Sequence, residues 1–130
     1  MIERRDLLKI GVAAPLALAL PASLRAAGEA AALWVIDARY SPDAASGPRT
    51  AVLRGGDVTP LWTDRLDAAW RGRGATIAGT TGSDALFVLE QLAWHRGRRV
   101  TARREIAPAA QGRPALIAWV IAPHHPSVTA

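Results

Sequence analysis

The stretch ATIAGTTGSDALFVLEQLAWHR, residues 75–96, decides how the chain folds. Ala75-Thr76-Ile77-Ala78 is short, apolar and partly β-branched, which suits a strand. Gly79-Thr80-Thr81-Gly82-Ser83-Asp84 then reads as a turn, with Thr81 and Asp84 spaced as a capping box. Ala85 to Arg96 is apolar over most of a helical circumference, with a polar stripe of Asp84, Gln91 and His95 and Glu90 beside it. A helix with so narrow a polar side lies mostly buried against a sheet. Strand, turn and buried helix form the start of a strand–helix–strand unit, so the flanking segments should supply more strands.

They do so on both sides. Ala32 to Ala38 is a continuous apolar run around Leu33-Trp34-Val35-Ile36, as in a strand buried on both faces. Thr50 to Leu53 is a second strand, ended by Gly55-Gly56-Asp57. Thr59-Pro60 offers a hydroxyl N-cap followed by proline at the first helical position. From there Val58, Leu61, Trp62, Leu66, Ala69 and Trp70 share one side at helical spacing, and Gly72 or Gly74 stops the helix. Val100 to Ile106 alternates, with Val100, Ala102 and Ile106 against Thr101, Arg103 and Glu105. Ala115 to Ala122 is a last apolar strand, expected to return antiparallel through Pro108 to Pro114. The order implies a small three-layer α/β domain with a mixed, mainly parallel five-stranded sheet and two main helices. The Arg39–Arg49 connection is short for a crossover, which leaves the place of the first strand open.

The N-terminal segment has a different character. Arg4, Arg5 and Lys9 outweigh Glu3 and Asp6, and Ile10 to Leu24 is apolar and uncharged, short of the roughly 20 residues of a spanning helix. Small residues follow at Ala26-Ala27-Gly28, completing the pattern of a secretory signal peptide. Glu3-Arg4-Arg5-Asp6-Leu7-Leu8-Lys9 resembles the twin-arginine export signal, matching it at Arg4, Arg5, Leu8 and Lys9. The resemblance implies export of the folded protein by the twin-arginine machinery to the periplasm or beyond. It divides the chain into a signal peptide, residues 1–27, and one domain, residues 28–130. Membrane contact would be transient, or lasting through an uncleaved leader. The rest, from Gly56-Asp57-Val58-Thr59 through Trp94 and the closing Trp119-Val120-Ile121-Ala122-Pro123, resembles small uncharacterised exported proteins of bacteria. That likeness carries no activity with it.

Composition narrows the partners. The 130 residues contain no cysteine, so neither an iron–sulfur cluster nor c-type haem has protein ligands, and no cofactor is expected. His124-His125 lack a third ligand at short spacing, so no metal is expected either. The net charge of +5 is carried largely by arginine, but the runs Arg71-Gly72-Arg73-Gly74 and Arg96-Gly97-Arg98-Arg99 read as cationic helix ends. They lack the interleaved aromatic residues of single-strand binders, so nucleic acid is not an expected partner.

Candidate chemistry gathers beyond the carboxyl ends of the strands, where open α/β sheets bind their ligands. Asp37 and, less directly, Asp57 are candidate catalytic acids. For Asp37 a role as general base competes with an ion pair to Arg39 or Arg54, and for Asp57 with a helix start. Arg39 with Gly79, Thr80, Thr81, Gly82 and Ser83 forms a candidate anion-binding group at a helix N-terminus, or a helix cap alone. His95 suits the helix C-terminus. Five tryptophans are many for one small core, and Trp62 with Trp70 are candidates for a protein interface. Two functional classes follow. One is an exported non-catalytic accessory or binding protein, carried with a redox or hydrolytic partner. The other is a small periplasmic enzyme or anion binder using Asp37, Asp57 and the Gly79–Ser83 turn.

Overall fold

A computed structural model describes residues 21–71 and 75–123. In chain order these form α1 (Ala22–Ala30), β1 (Leu33–Asp37), β2 (Thr50–Leu53), α2, β3 (Ile77–Gly82), α3 (Ser83–Trp94), β4 (Arg98–Ala107) and β5 (Leu116–Pro123). Helix α2 is composite: Thr59–Leu61 and Asp67–Arg71 are α-helical, and Trp62–Leu66 between them widens into a π-helical turn. The fold is mixed α/β, with three helices and a five-stranded mixed sheet. The twin-arginine residues Arg4, Arg5, Leu8 and Lys9, the glycines Gly72 and Gly74, and His124-His125 lie outside the described residues.

Strand order in the sheet is β2-β1-β3-β5-β4. β1 runs parallel to β2 and β3, while β5 runs antiparallel to β3 and β4, so the pairings divide evenly between the two kinds. The first strand thus sits inside the sheet, and the Arg39–Arg49 connection joins two parallel neighbours without a helix. Two arginines hold that connection down. Arg65 of α2 donates to the carbonyls of Gly47 and Pro48 at 3.2 and 2.9 Å. Arg49 donates to those of Glu29 and Ala31 at the end of α1, at 2.8 and 2.7 Å.

Side-chain alternation along the strands makes two separate apolar clusters. On one face Leu33, Val35, Ile77, Trp119 and Ile121 pack under α2 and α3, which bury Leu66, Trp70, Leu86 and Leu89. On the other, Ala78, Ala118 and Val120 meet Leu24 of α1. Small residues on this second face let the helix approach closely, and burying Leu24 contributes about 2 kcal/mol. The expected boundary at residues 27 and 28 falls inside α1.

Three local expectations are corrected. Residues 79–82 are not a turn: β3 continues through Gly82, because Gly79, Thr80, Thr81 and Gly82 pair with Trp119, Ala118, Ile117 and Leu116 of β5. A full antiparallel ladder outweighs the turn preference of two glycines. Thr59 does not cap α2; it is the first helical residue, and the Asp57 carboxylate accepts its N–H at 3.0 Å. Finally, β4 does not present Val100, Ala102 and Ile106 on one face. The register shifts between Val100 and Ala102, so Val100 joins the first cluster and Ala102 and Ile106 the second. One extra residue in a bulge reverses the alternation beyond it.

Candidate functional site

The sheet brings Asp37, Arg39, Tyr40, Gly82, Asp84, Arg113 and Pro114 to one end. Asp37 closes β1 and is 1 % exposed. A carboxylate so deeply buried needs several donors, and it has four. Its Oδ1 accepts from the Arg39 backbone N–H and Nε, both at 3.0 Å. Its Oδ2 accepts from Arg39 Nη2 at 2.7 Å and from the Gly82 N–H at 3.0 Å. The same guanidinium then forks to Asp84 in the first turn of α3, with Nη1 at 2.9 Å from Oδ2 and Nη2 at 2.8 Å from Oδ1. Two bidentate pairs thus share one planar cation, an arrangement that arginine permits and lysine does not.

Glycine makes the room. A Cβ on Gly82 would stand 2.6 Å from Asp84 Oδ1 and 2.7 Å from Arg39 Nη2, and one on Gly56 would stand 2.8 Å from Arg39 Cζ. The guanidinium therefore lies between two backbone segments that carry no side chain. Around it, Tyr40 donates its hydroxyl to the Pro114 carbonyl, and Arg113 Nη1 donates to the Arg39 carbonyl at 2.7 Å. Arg113 also lies over the Tyr40 ring, 5.0 Å from its centroid.

Arg39 and Asp84 hold each other in their ionised forms. The two carboxylates beside it, Asp84 first, keep Arg39 protonated far above any accessible pH. Hydrogen bonds from Arg39 hold the Asp84 carboxyl below its ordinary value of 3.8, opposed by partial burial. Burial pushes the Tyr40 phenol above its ordinary value, against the pull of Arg39.

The expected anion-binding group is arranged differently from its sequence reading. Gly79 lies within β3, and Thr80 and Thr81 are buried. The Thr81 hydroxyl accepts from Trp119 Nε1 at 3.0 Å and donates to the Gly82 carbonyl at 3.1 Å. Ser83 is exposed at the start of α3, but its N–H donates to the Ala115 carbonyl at 2.8 Å. The N–H groups of Gly82, Ser83 and Ala85 all have acceptors within the chain, so an anion would have to displace them. The Asp57 carboxylate serves the start of α2, accepting from the Thr59 N–H. His95 follows α3, with its Nδ1 2.8 Å from the Gln91 carbonyl.

Trp70 is not surface: it is 2 % exposed in the first cluster. Its ring meets that of Trp62 at 6.1 Å, and Arg96 covers Trp62 at 5.4 Å. The π-helical turn between them carries these two rings onto the same packed side. The exposed aromatic residues are instead Phe87 and Trp94 of α3, at 62 % and 58 %.

Two members of the cluster, Asp84 as partner of Arg39 and Arg113 as cover of Tyr40, are absent from the sequence reading. The sequence suggests β5 returning antiparallel to β4; in the structure β5 also pairs antiparallel with β3, so that it begins where β3 ends, Leu116 facing Gly82. That second pairing delivers Arg113 and Pro114 to Tyr40. Among the described residues no group of three His, Asp or Glu could hold a metal ion, and no helix is long and apolar enough to cross a membrane. Comparison with known proteins finds no matching family model, no matching curated protein and no matching solved structure.

Proposed function

We propose that this chain is an exported, non-catalytic accessory or binding protein of the bacterial envelope. The observation that carries the non-catalytic part of this reading is the saturation of Asp37 by four donors of its own chain. A general base must offer a lone pair to substrate, and both oxygens of Asp37 are committed to donors of its own chain. The strand ends are better suited to bracing β1, α3 and the entry to β5 than to turning over a substrate.

Export rests on the likeness of Glu3–Lys9 to the twin-arginine signal. The domain reading that accompanies it is a three-layer one with a mainly parallel sheet. It is supported by apolar clusters on opposite faces, one under α2 and α3 and one under α1. It is also supported by strand direction, since β5 runs against each of the other four.

The test is native mass spectrometry on the C-terminally tagged chain, purified gently from the envelope fraction. A stoichiometric partner chain is the expected result, and a bare monomer would overturn the accessory reading. The same spectrum reports whether residues 1–27 remain. Replacing Arg4 and Arg5 by lysine should leave the protein in the cytoplasm; unchanged export would remove the twin-arginine route from the proposal.

A further inference from the structure

Strand β4 stands at the outer edge of the sheet, and one side of its backbone pairs with no strand among the described residues. It is ten residues long, whereas edge strands left open to water are usually short. Its two register shifts bracket a regular stretch, Ala102 to Glu105, that pairs residue for residue with β5. The strand carries Arg98, Arg99, Arg103 and Arg104 against a single acid, Glu105, and Arg99, Arg103 and Arg104 are exposed.

Helix α3 supplies a second observation. Glu90 reaches Arg103 of β4 at 2.8 Å, which fixes the flank of the helix that leans toward the edge. Phe87 and Trp94 share that flank by helical spacing, and Arg99 lies over the Trp94 ring at 4.1 Å. A shallow depression among Glu90, Trp94, Arg98, Arg99 and Val100 separates helix from strand. The two most exposed aromatic rings thus rise beside the position that a strand added to β4 would occupy.

We propose that the outer edge of β4 docks an extended acidic segment of a partner protein. The segment adds to the sheet as a sixth strand, and its apolar side chains cover Phe87 and Trp94. This inference rests on the accessory reading above and names the surface and chemistry of the partner. Main-chain hydrogen bonds hold the added strand, and alternate side chains give it specificity. Charge selects the occupant: two copies paired through β4 would set four arginines and one glutamate against the same set, whereas an acidic strand meets opposite charge.

The test uses the full chain and a fluorescein-labelled peptide of alternating Glu and Val, as long as β4, titrated by anisotropy. The Glu/Val peptide should bind, and should bind more weakly as salt is raised. A Lys/Val peptide should bind about tenfold more weakly or worse, and N-methylation of alternate amides should abolish binding. Arg104→Glu and Trp94→Ala should each weaken the complex about tenfold. Phe87→Ser provides an independent check on the aromatic flank. The proposal is overturned if the Lys/Val peptide binds as well, if N-methylation is without effect, or if no peptide binds. It is equally overturned if sedimentation reveals a dimer that Trp94→Ala dissociates, because the occupant is then a second copy. Envelope purification of Arg99→Glu/Arg104→Glu separates this idea from the accessory reading. A partner retained by that variant defeats the β4 surface alone. Absence of a partner from the parent protein as well defeats both.

Discussion

The strand-end cluster and the β4 edge are both rich in arginine, yet they treat it in opposite ways. At the strand ends one guanidinium is shared by two carboxylates, flanked by Gly56 and Gly82, and backed by a buried acid. On the edge, Arg99, Arg103 and Arg104 stand exposed, with Glu90 paired to Arg103 and the Trp94 ring under Arg99. The difference lies in what desolvation demands. A charge removed from water must be matched within the chain, so its geometry is specified and its chemistry is spent. A charge left in water has no such requirement and remains available to another molecule. Mutations at the first region should therefore be read in stability, and mutations at the second in binding.

The largest expected effect comes from Arg39→Ala. It leaves Asp37 buried with only two backbone donors, the N–H of residue 39 and that of Gly82, and no cation beside it, and should cost about 3 kcal/mol in chemical denaturation. Asp37→Asn in the same background should recover part of that loss, because the uncompensated charge is gone. Arg39→Lys should recover little, since an ammonium cannot reproduce two forks. If Arg39→Ala unfolds no more easily than the parent, the cluster is not a brace and Asp37 regains its standing as a chemical group.

Next is Gly79→Ala. A Cβ there would stand 2.5 Å from the Val35 carbonyl oxygen and 2.9 Å from Val35 Cβ, so the β1–β3 pairing must shift. The cost should be about 2 kcal/mol. Gly82→Ala should cost less, because the nearest atoms belong to the ends of Asp84 and Arg39 and can move. Thermal unfolding of the two variants side by side distinguishes a backbone constraint from a side-chain one.

Asp84→Asn should be milder still, about 1 kcal/mol or less, because the carboxylate is half exposed and water screens the pair. Its value is in the pH dependence. Arg39 depresses the Asp84 pKa in the folded protein, so ionised Asp84 favours folding. That contribution is complete above the ordinary value of 3.8 and is lost as pH falls through the lower folded value. Asp67, depressed by Arg71 and then by Arg96, adds in the same direction. Asp84→Asn should therefore lose less stability than the parent between about pH 5 and about pH 2. Parallel acid titrations of the two proteins would instead mean that the second fork contributes nothing.

Much of the fold was legible in the sequence because burial writes itself in apolar runs. Leu33–Ile36, Thr50–Leu53 and the run into β5 all fall on observed strands, and the antiparallel return from β4 into β5 follows from the loop between them. The parts that were not legible depend on pairing at long range. Gly79–Gly82 has the composition of a turn and becomes strand because β5, and at Gly79 and Thr80 also β1, lies alongside. The bulge at Thr101 leaves no mark in the local pattern, which alternates across it. Asp37 was recognisable as an acid that must be paired, and Arg39 as one candidate partner. Asp84 joins them through a contact across 45 residues that no local pattern displays. Of the two tryptophans singled out for an interface, Trp70 is buried and Trp62 partly so, because helical spacing cannot say which stripe faces the sheet.

The smallest expected effect sharpens the comparison most. Trp94→Ala and Phe87→Ser remove rings that are 58 % and 62 % exposed, and each should change stability by no more than about 0.5 kcal/mol. A Trp that size buried in the core would cost several times as much to truncate, as Trp70→Ala should demonstrate in the same protein. Trp94 also carries Arg99 on its face, a stack worth about 0.5 kcal/mol while it stays wet and more once covered. Near-zero loss of stability combined with weaker binding of an acidic strand would show that these rings are held out for a partner. A loss comparable to that of Trp70→Ala would place them in the fold's own energetics, and the contrast between the two regions would disappear.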